Sequence, residues 1–166
     1  ESTWHYIDCS NSDQATNTAT VVSYEHGSST VTSNNNSFFG AYQNGAYTPT
    51  LNRIYFGPAF QAGETEWHYV DCNNGSIVDY THGVTSDRYN DAVYCPNQNR
   101  IYFSPNVPQA NWHYVDCDDG TIHAYAHSTG ISDASPYYGS IYSPIQKRIY
   151  LVPQWQSAKA TWHYID

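Results

Sequence analysis

Histidine is the side chain best suited to moving protons or holding metals near neutral pH, and this chain of 166 residues carries eight. Seven recur in matched contexts. His5, His68, His113 and His163 each follow a Trp, and His26, His82 and His127 each lie two positions after a Tyr; only His123 stands outside both patterns. Three equivalent imidazoles meeting on a common axis would bind a metal ion. The plainer reading is that each satisfies its own hydrogen bonds within its repeat. The carboxylates of interest break the pattern. Glu25 sits beside His26 where the equivalent positions hold Thr81 and Ala126, and Glu64 and Glu66 precede Trp67. Trp155 is the one Trp of five outside the repeated context. Aromatic faces, imidazoles and carboxylates together suit sugar binding, because a ring covers apolar C–H groups while polar groups orient the hydroxyls. The bland alternative is solvated glutamates and a packed loop Trp.

Other chemistries have weaker support. Glu25 and Glu66 would form a glycosidase acid/base pair only at a carboxyl separation of ~5–9.5 Å. No Gly-x-Ser-x-Gly elbow, Walker loop or Gly-x-Gly-x-x-Gly turn occurs. No Cys-x-x-Cys favours zinc. Asp8, Asp13, Asp118 and Asp119 are candidates for Ca²⁺ without EF-hand spacing, and turn formation accounts for Asp118-Asp119-Gly120. No cofactor is therefore expected.

The elements that must position these groups form a repeat. Trp-His-Tyr-(Ile/Val)-Asp occurs at Trp4–Asp8, Trp67–Asp71, Trp112–Asp116 and Trp162–Asp166. A second anchor, Arg-Ile-Tyr, begins at Arg53, Arg100 and Arg148, and Tyr-x-His lies between. Recurrence at this period marks a repeat architecture. The repeats span 4–66, 67–111 and 112–161, with 162–166 as an extra strand, in one domain over 1–166. Each unit reads as strand A (Trp-His-Tyr), strand B (ending Tyr-x-His), a variable strand C and strand D (Arg-Ile-Tyr). The segments are short, rich in Tyr, Val, Ile and Trp, and bounded by turn residues. Asn74-Gly75 and Asp119-Gly120 supply A–B turns; the first unit has the longer segment Ser10–Ala19 instead. No helical period appears.

Strand A alternation places Trp, Tyr and Asp on one face and His with Ile or Val on the other. The strand-D arginines are expected to pair with the strand-A aspartates, and the repeated Trp residues to pack within or between units. The fold class is all-β, with three repeats of about four antiparallel strands in a pseudo-threefold body. Trefoil, prism and propeller-like arrangements all fit. The extra strand would close against the N-terminal unit or pair across a two-fold axis. The B–C and D–A loops share one pole, and Glu25, Glu64, Glu66 and Trp155 gather there. Cys9, Cys72 and Cys117 are one repeated position, and Cys95 is unique; Cys72 with Cys95 is one of three connectivities that four cysteines allow.

Composition narrows the partners. Net charge is −9 with six Lys and Arg, which argues against a nucleic-acid phosphate surface. No apolar run reaches the ~18 residues that span a bilayer. Glu1 in place of an initiator Met, with acceptor patterns at Asn35-Asn36-Ser37 and Asn74-Gly75-Ser76, reads as a processed, secreted chain.

With Trp-His-Tyr-(Ile/Val)-Asp-Cys, Tyr-x-His-Gly and Arg-Ile-Tyr-Phe in one chain, the sequence resembles the galactose-binding lectins of sea anemones and related cnidarian proteins. The resemblance spans all three units. It implies a secreted, homodimeric, non-catalytic binder of β-linked terminal galactose. It also implies a site of neighbouring Trp, His and Glu. The residues of this chain that match in type are Glu25, His26, Glu66, His68 and Trp155, with Trp67 as a second choice for the aromatic. A glycoside hydrolase using a Glu pair and a Tyr-rich structural or adhesive protein are the alternatives.

Overall fold

The computed structural model describes residues 3–13, 18–28, 41–59, 66–84, 88–132, 136–154 and 162–166. These form thirteen strands and no helix. In chain order they are β1 (Thr3–Asp13), β2 (Thr18–Glu25), β3 (Tyr42–Thr48), β4 (Arg53–Pro58), β5 (Glu66–Asp71), β6 (Ser76–Thr81), β7 (Tyr89–Cys95), β8 (Arg100–Pro105), β9 (Asn111–Asp116), β10 (Ile122–Ala126), β11 (Tyr137–Ser143), β12 (Arg148–Pro153) and β13 (Tyr164–Ile165). All pairings are antiparallel, and each sheet is a simple meander.

The unit in space is shifted by half a repeat from the unit in sequence. Strands C and D of one repeat join A and B of the next. The second sheet is β3-β4-β5-β6 and the third is β7-β8-β9-β10. Among the described residues the first sheet holds the A–B pair β1-β2, and the fourth the C–D–A set β11-β12-β13. The terminal Trp-His-Tyr-Ile-Asp strand therefore lies on β12 of its own sheet, with Ile149 opposite Ile165 and Tyr150 opposite Tyr164, and not against the N-terminal unit.

Turn chemistry explains the hairpins. Asp71 and Asp116 cap the A–B turns by accepting from the amides of Asn73 and Asp118, at 2.9 Å and 3.0 Å. Gly75 and Gly120 close these turns at φ +78° and +84°, a conformation open to glycine without a Cβ penalty. The C–D turns end on Asn52, Asn99 and Lys147, all at positive φ. Asn tolerates that region by bonding locally. Accordingly Asn52 Oδ1 and Asn99 Oδ1 accept from the hydroxyls of Tyr47 and Tyr94, at 3.0 Å and 2.9 Å. In the first unit strand pairing runs on through Asp13 opposite Thr18, so much of the Ser10–Ala19 segment is strand.

The sheets pack through their first strands: β3 lies against β7, and β7 against β11. Two cores result. Trp67, Tyr55, Tyr89, Phe103, Ile101 and Val115 fill the space between the second and third sheets. Trp112, Tyr102, Tyr137, Ile149 and Leu151 fill that between the third and fourth. Three of the four strand-A Trp residues reach the next sheet. Trp4 meets the Phe56 ring at 5.4 Å, Trp67 meets Phe103 at 5.7 Å, and Trp112 meets Tyr137 at 5.9 Å. Trp67 and Trp112 are 0% and 3% exposed, whereas Trp162 is 71% exposed. Fully burying a large apolar side chain contributes about 1.5–3 kcal/mol, so these contacts are the main ties between sheets.

Two of the three strand-D arginines pair with their strand-A aspartates as expected, and Arg53 donates instead to the Tyr55 hydroxyl. Arg148 Nε lies 2.9 Å from Asp166 Oδ1, Arg100 Nε lies 4.0 Å from Asp116 Oδ2, and Arg53 stands opposite Asp71. Each guanidinium also stacks 4.3 Å from a strand-A ring, those of Tyr69, Tyr114 and Tyr164. Cys72, Cys95 and Cys117 are thiols, so no bridge joins Cys72 to Cys95. Burial pushes the Cys117 thiol up to about 11, which keeps it protonated and unreactive.

Candidate functional site

Six of the seven repeated imidazoles fall into two structural sets, and His5 is exposed on β1. Strand-B histidines cover the Trp rings: His82 stacks on Trp67 at 4.0 Å, His127 on Trp112 at 4.1 Å, and His26 tilts against Trp4 at 5.1 Å. Their Nδ1 atoms accept locally, from the Ser28 and Val84 amides at 3.3 Å for His26 and His82. Strand-A histidines bond the strand-C tyrosine of the same sheet. Tyr42 pairs with His68, Tyr89 with His113, and Tyr137 with His163, the last at 2.9 Å. His68 Nε2 is 3.1 Å from Asp79 Oδ1. The carboxylate contact makes Nε2 the donor to Asp79. Burial lowers the His68 pKa against the opposing pull of Asp79 and Glu66, and His26 lowers it further. No group of three or more potential metal ligands forms among the described residues.

Of the residues selected from sequence, His26, Glu66 and His68 come together where the first sheet meets the second. Both imidazoles are buried and committed to the scaffold, and Glu66 is exposed at the start of β5. Glu25 is exposed at the end of β2, where its Oε1 accepts from Thr3 Oγ1 at 2.8 Å. At the strand ends Glu25 stands opposite Thr3 in the first sheet, and Glu66 opposite Thr81 in the second. Trp155 and Glu64 lie outside the described residues.

The structure offers a different concavity. A cleft of about 390 Å³ opens between the outer half of the second sheet and the β9–β10 turn of the third, a size in the range of small-molecule sites. Its floor is tyrosine: Tyr55 on β4, Tyr69 on β5 and Tyr80 on β6. Arg53 lies flat over Tyr69 and donates to the Tyr55 hydroxyl at 3.2 Å. Burial lowers the Arg53 pKa, and Tyr55, Tyr69 and Asp71 outweigh that effect and raise it. Thr81 and His82 line one end, and Asp119, Gly120 and Thr121 the other. The Asp119 carboxylate is exposed, and its bonds from Thr121, through hydroxyl and amide at 2.6 Å and 2.9 Å, hold its pKa down. The Tyr80 hydroxyl is sealed from solvent without a hydrogen-bond partner, and burial raises its pKa well above the ordinary phenol value. A buried polar group in that condition costs about 1–3 kcal/mol.

A second polar feature joins the inner strands. Asp91 on β7 is 3% exposed. One carboxylate oxygen accepts from Asn44 Nδ2 on β3; the other accepts from the Ser140 amide and hydroxyl on β11, at 2.5 Å and 2.7 Å. Each inner strand bulges at this level, between Tyr42 and Asn44, Tyr89 and Asp91, and Tyr137 and Gly139. A bulge re-aims the side chain beside it, here across the sheets. Neither Asp91 nor the cleft follows from the repeated motifs. The one sequence signal was a carboxylate inside strand C, where the matching positions are Asn44 and Gly139.

No family model and no curated protein matches the chain. Solved structures with similar coordinates include the mitotic checkpoint complex, at 16% identity and TM-score 0.50 over 80% of this chain and 39% of that one. Hydrazine synthase of Kuenenia stuttgartiensis matches at 15% identity and TM-score 0.48, over 66% and 29%. The extracellular domain of a putative hybrid two-component system of B. thetaiotaomicron matches at 7% and 0.49, over 79% and 17%. The chain thus spans less than two-fifths of each of these proteins. At these identities the likeness to the checkpoint structure speaks for the all-β fold alone.

Proposed function

We propose that this chain is a non-catalytic glycan-binding protein, seating a terminal sugar in the cleft between its second and third sheets. Galactose-terminated glycans are the first class to test, and a secreted, multivalent molecule belongs to the same reading. The observation that carries it is the cleft's chemistry. A tyrosine floor suits the apolar face of a pyranose, while Arg53, Asp119 and Thr121 offer donors and acceptors to hydroxyls. Among the described residues one carboxylate lines the cleft, where either glycosidase mechanism calls on two. The scaffold in this reading is propeller-like, with sheets side by side and first strands innermost.

A galactose column and a glycan array, run with and without chelator, test the reading. Arg53→Met and Tyr69→Leu should lower retention at least tenfold, whereas Glu25→Gln and Glu66→Gln should retain binding, each fold being checked by circular dichroism. Binding that survives both cleft variants and fails in the Glu variants would return the sugar to the loop pole. Binding of no glycan at all would refute the function.

A further inference from the structure

We infer that Arg53 and Tyr55 form a seat for a carboxylate, so that the sugar held in the cleft is a uronic acid, galacturonate first among them. The sugar rests on the glycan reading above. The seat rests on two departures from the repeat that meet at this point. The first concerns Tyr55. At the matching positions Tyr102 and Tyr150 donate to the side-chain oxygens of Gln98 and Gln146, at 2.5 Å and 2.6 Å. The second sheet carries Leu51 where the others carry those glutamines, and Leu has no acceptor. The Tyr55 hydroxyl accepts from Arg53 at 3.2 Å, and its own proton meets no acceptor among the described residues.

The second departure concerns Arg53. Arg100 and Arg148 face aspartates at 4.0 Å and 2.9 Å, whereas Arg53 has no carboxylate within ion-pair distance among the described residues. The cause lies in the β5–β6 turn. Asp71 Oδ1 accepts from both the amide and the carboxamide of Asn73, at 2.9 Å and 2.8 Å. Asn73 Oδ1 in turn accepts from Asn52 Nδ2 at 2.8 Å. In the third sheet the matching residue is Asp118, whose carboxylate has no donor to give. Asp116 Oδ1 accepts from the Asp118 amide, and its Oδ2 faces Arg100. The Asn73 carboxamide thus ties Asp71 to its turn, and the Arg53 guanidinium lies over Tyr69 with donors to spare.

Both groups therefore hold unused donors side by side on the wall of the cleft. A carboxylate is acceptor-only and has two oxygens, so it satisfies both at once. Gly120 keeps the space open: a Cβ there would stand 2.8 Å from the Tyr55 hydroxyl and 3.1 Å from Arg53 Nη1. The rest of the pyranose covers the tyrosine floor, and Asp119 at the rim accepts from a hydroxyl. Galacturonate differs from galactose only in bearing a carboxylate in place of the hydroxymethyl group. The net charge of −9 opposes anions at range. That field is screened over about 8 Å at physiological salt, and the seat acts at contact.

Isothermal titration calorimetry on the full chain should compare D-galacturonate, D-galactose and D-galactose 6-sulfate. Galacturonate should bind about tenfold more tightly than galactose. Leu51→Gln and Asn73→Asp install the residues of the third sheet, and each should lower that ratio by roughly threefold or more. Equal affinities, or a ratio that survives both variants, would overturn the seat and leave the cleft to neutral sugars. Tighter binding of the sulfate than of galacturonate would overturn the carboxylate. Absence of heat from all three would overturn the sugar together with the function proposed above.

Discussion

Acidification should weaken the third sheet's contact with the second, and His113 sets the window. Its ring is 2% exposed and bonded through Nδ1 to the Tyr89 hydroxyl. Burial, with a smaller push from His82 across the interface, lowers its pKa from 6.5 to about 4. Above 6.5 both the folded and unfolded chains hold this imidazole neutral, and stability is unaffected. Between 6.5 and about 4 the unfolded chain binds a proton that the folded chain refuses, so stability falls as pH falls. Below that range both states are protonated and the loss levels off. The gap corresponds to about 3 kcal/mol in full and about 2 kcal/mol at roughly pH 5. That is a large share of the ~5–15 kcal/mol that holds a domain folded. Urea titrations at stepped pH should be run on the wild type and on His113→Gln, which keeps an acceptor for Tyr89 and does not titrate. The wild-type curve should drop about 2 kcal/mol further than the variant's by roughly pH 5. His68, lowered in the same direction, contributes to both proteins and cancels in the difference. Parallel curves would refute the reasoning.

Three further substitutions probe the turns and the sheet interfaces. A Cβ at Gly120 would stand 2.8 Å from the Tyr55 hydroxyl and 3.1 Å from Arg53 Nη1, while one at Gly75 meets nothing within 4 Å. Both positions have positive φ, so Gly75→Ala should cost about 1 kcal/mol from backbone strain alone. Gly120→Ala should cost at least twice as much in thermal unfolding, and equal costs would deny the contact across the cleft. Asp91→Ala strands the Asn44 amide and the Ser140 N–H, and should destabilise by about 3 kcal/mol in urea titration. A loss below about 0.5 kcal/mol, the scale of an ordinary surface change, would remove Asp91 from its bridging role.

Sequence made the strands legible because their signals are local. Alternation, turn glycines and the spacing of Trp, Tyr-x-His and Arg-Ile-Tyr each depend on a few neighbouring residues. The pairing of Arg148 with Asp166 was legible for the same reason, since strands D and A carry one charge each at matching heights. Sheet membership was not legible, because a repeat can be cut at any of its four strands and the motif reads the same. The cleft was hidden for a related cause. Its floor of Tyr55, Tyr69 and Tyr80 belongs to two repeats, and its rim at Asp119–Thr121 belongs to a third. Each of these residues has an ordinary explanation inside its own unit. The histidines misdirected in the opposite sense: eight imidazoles suggest chemistry, and six of them serve Trp covers or Tyr tethers.

The half-repeat offset also bears on how the chain folds. Every ladder joins strands adjacent in sequence, so each hairpin forms without first closing a long loop. That places the molecule nearer the fast end of all-β folding than a sandwich with crossed connections. Yet no stretch of one repeat contains a whole sheet. A nascent chain must extend past strand A and strand B of the following repeat before the sheet begun by C and D is finished. Synthesis and folding thus run out of step by two strands throughout. Until the next repeat emerges, the waiting edge of each strand D is an unpaired template for whichever strand A arrives first.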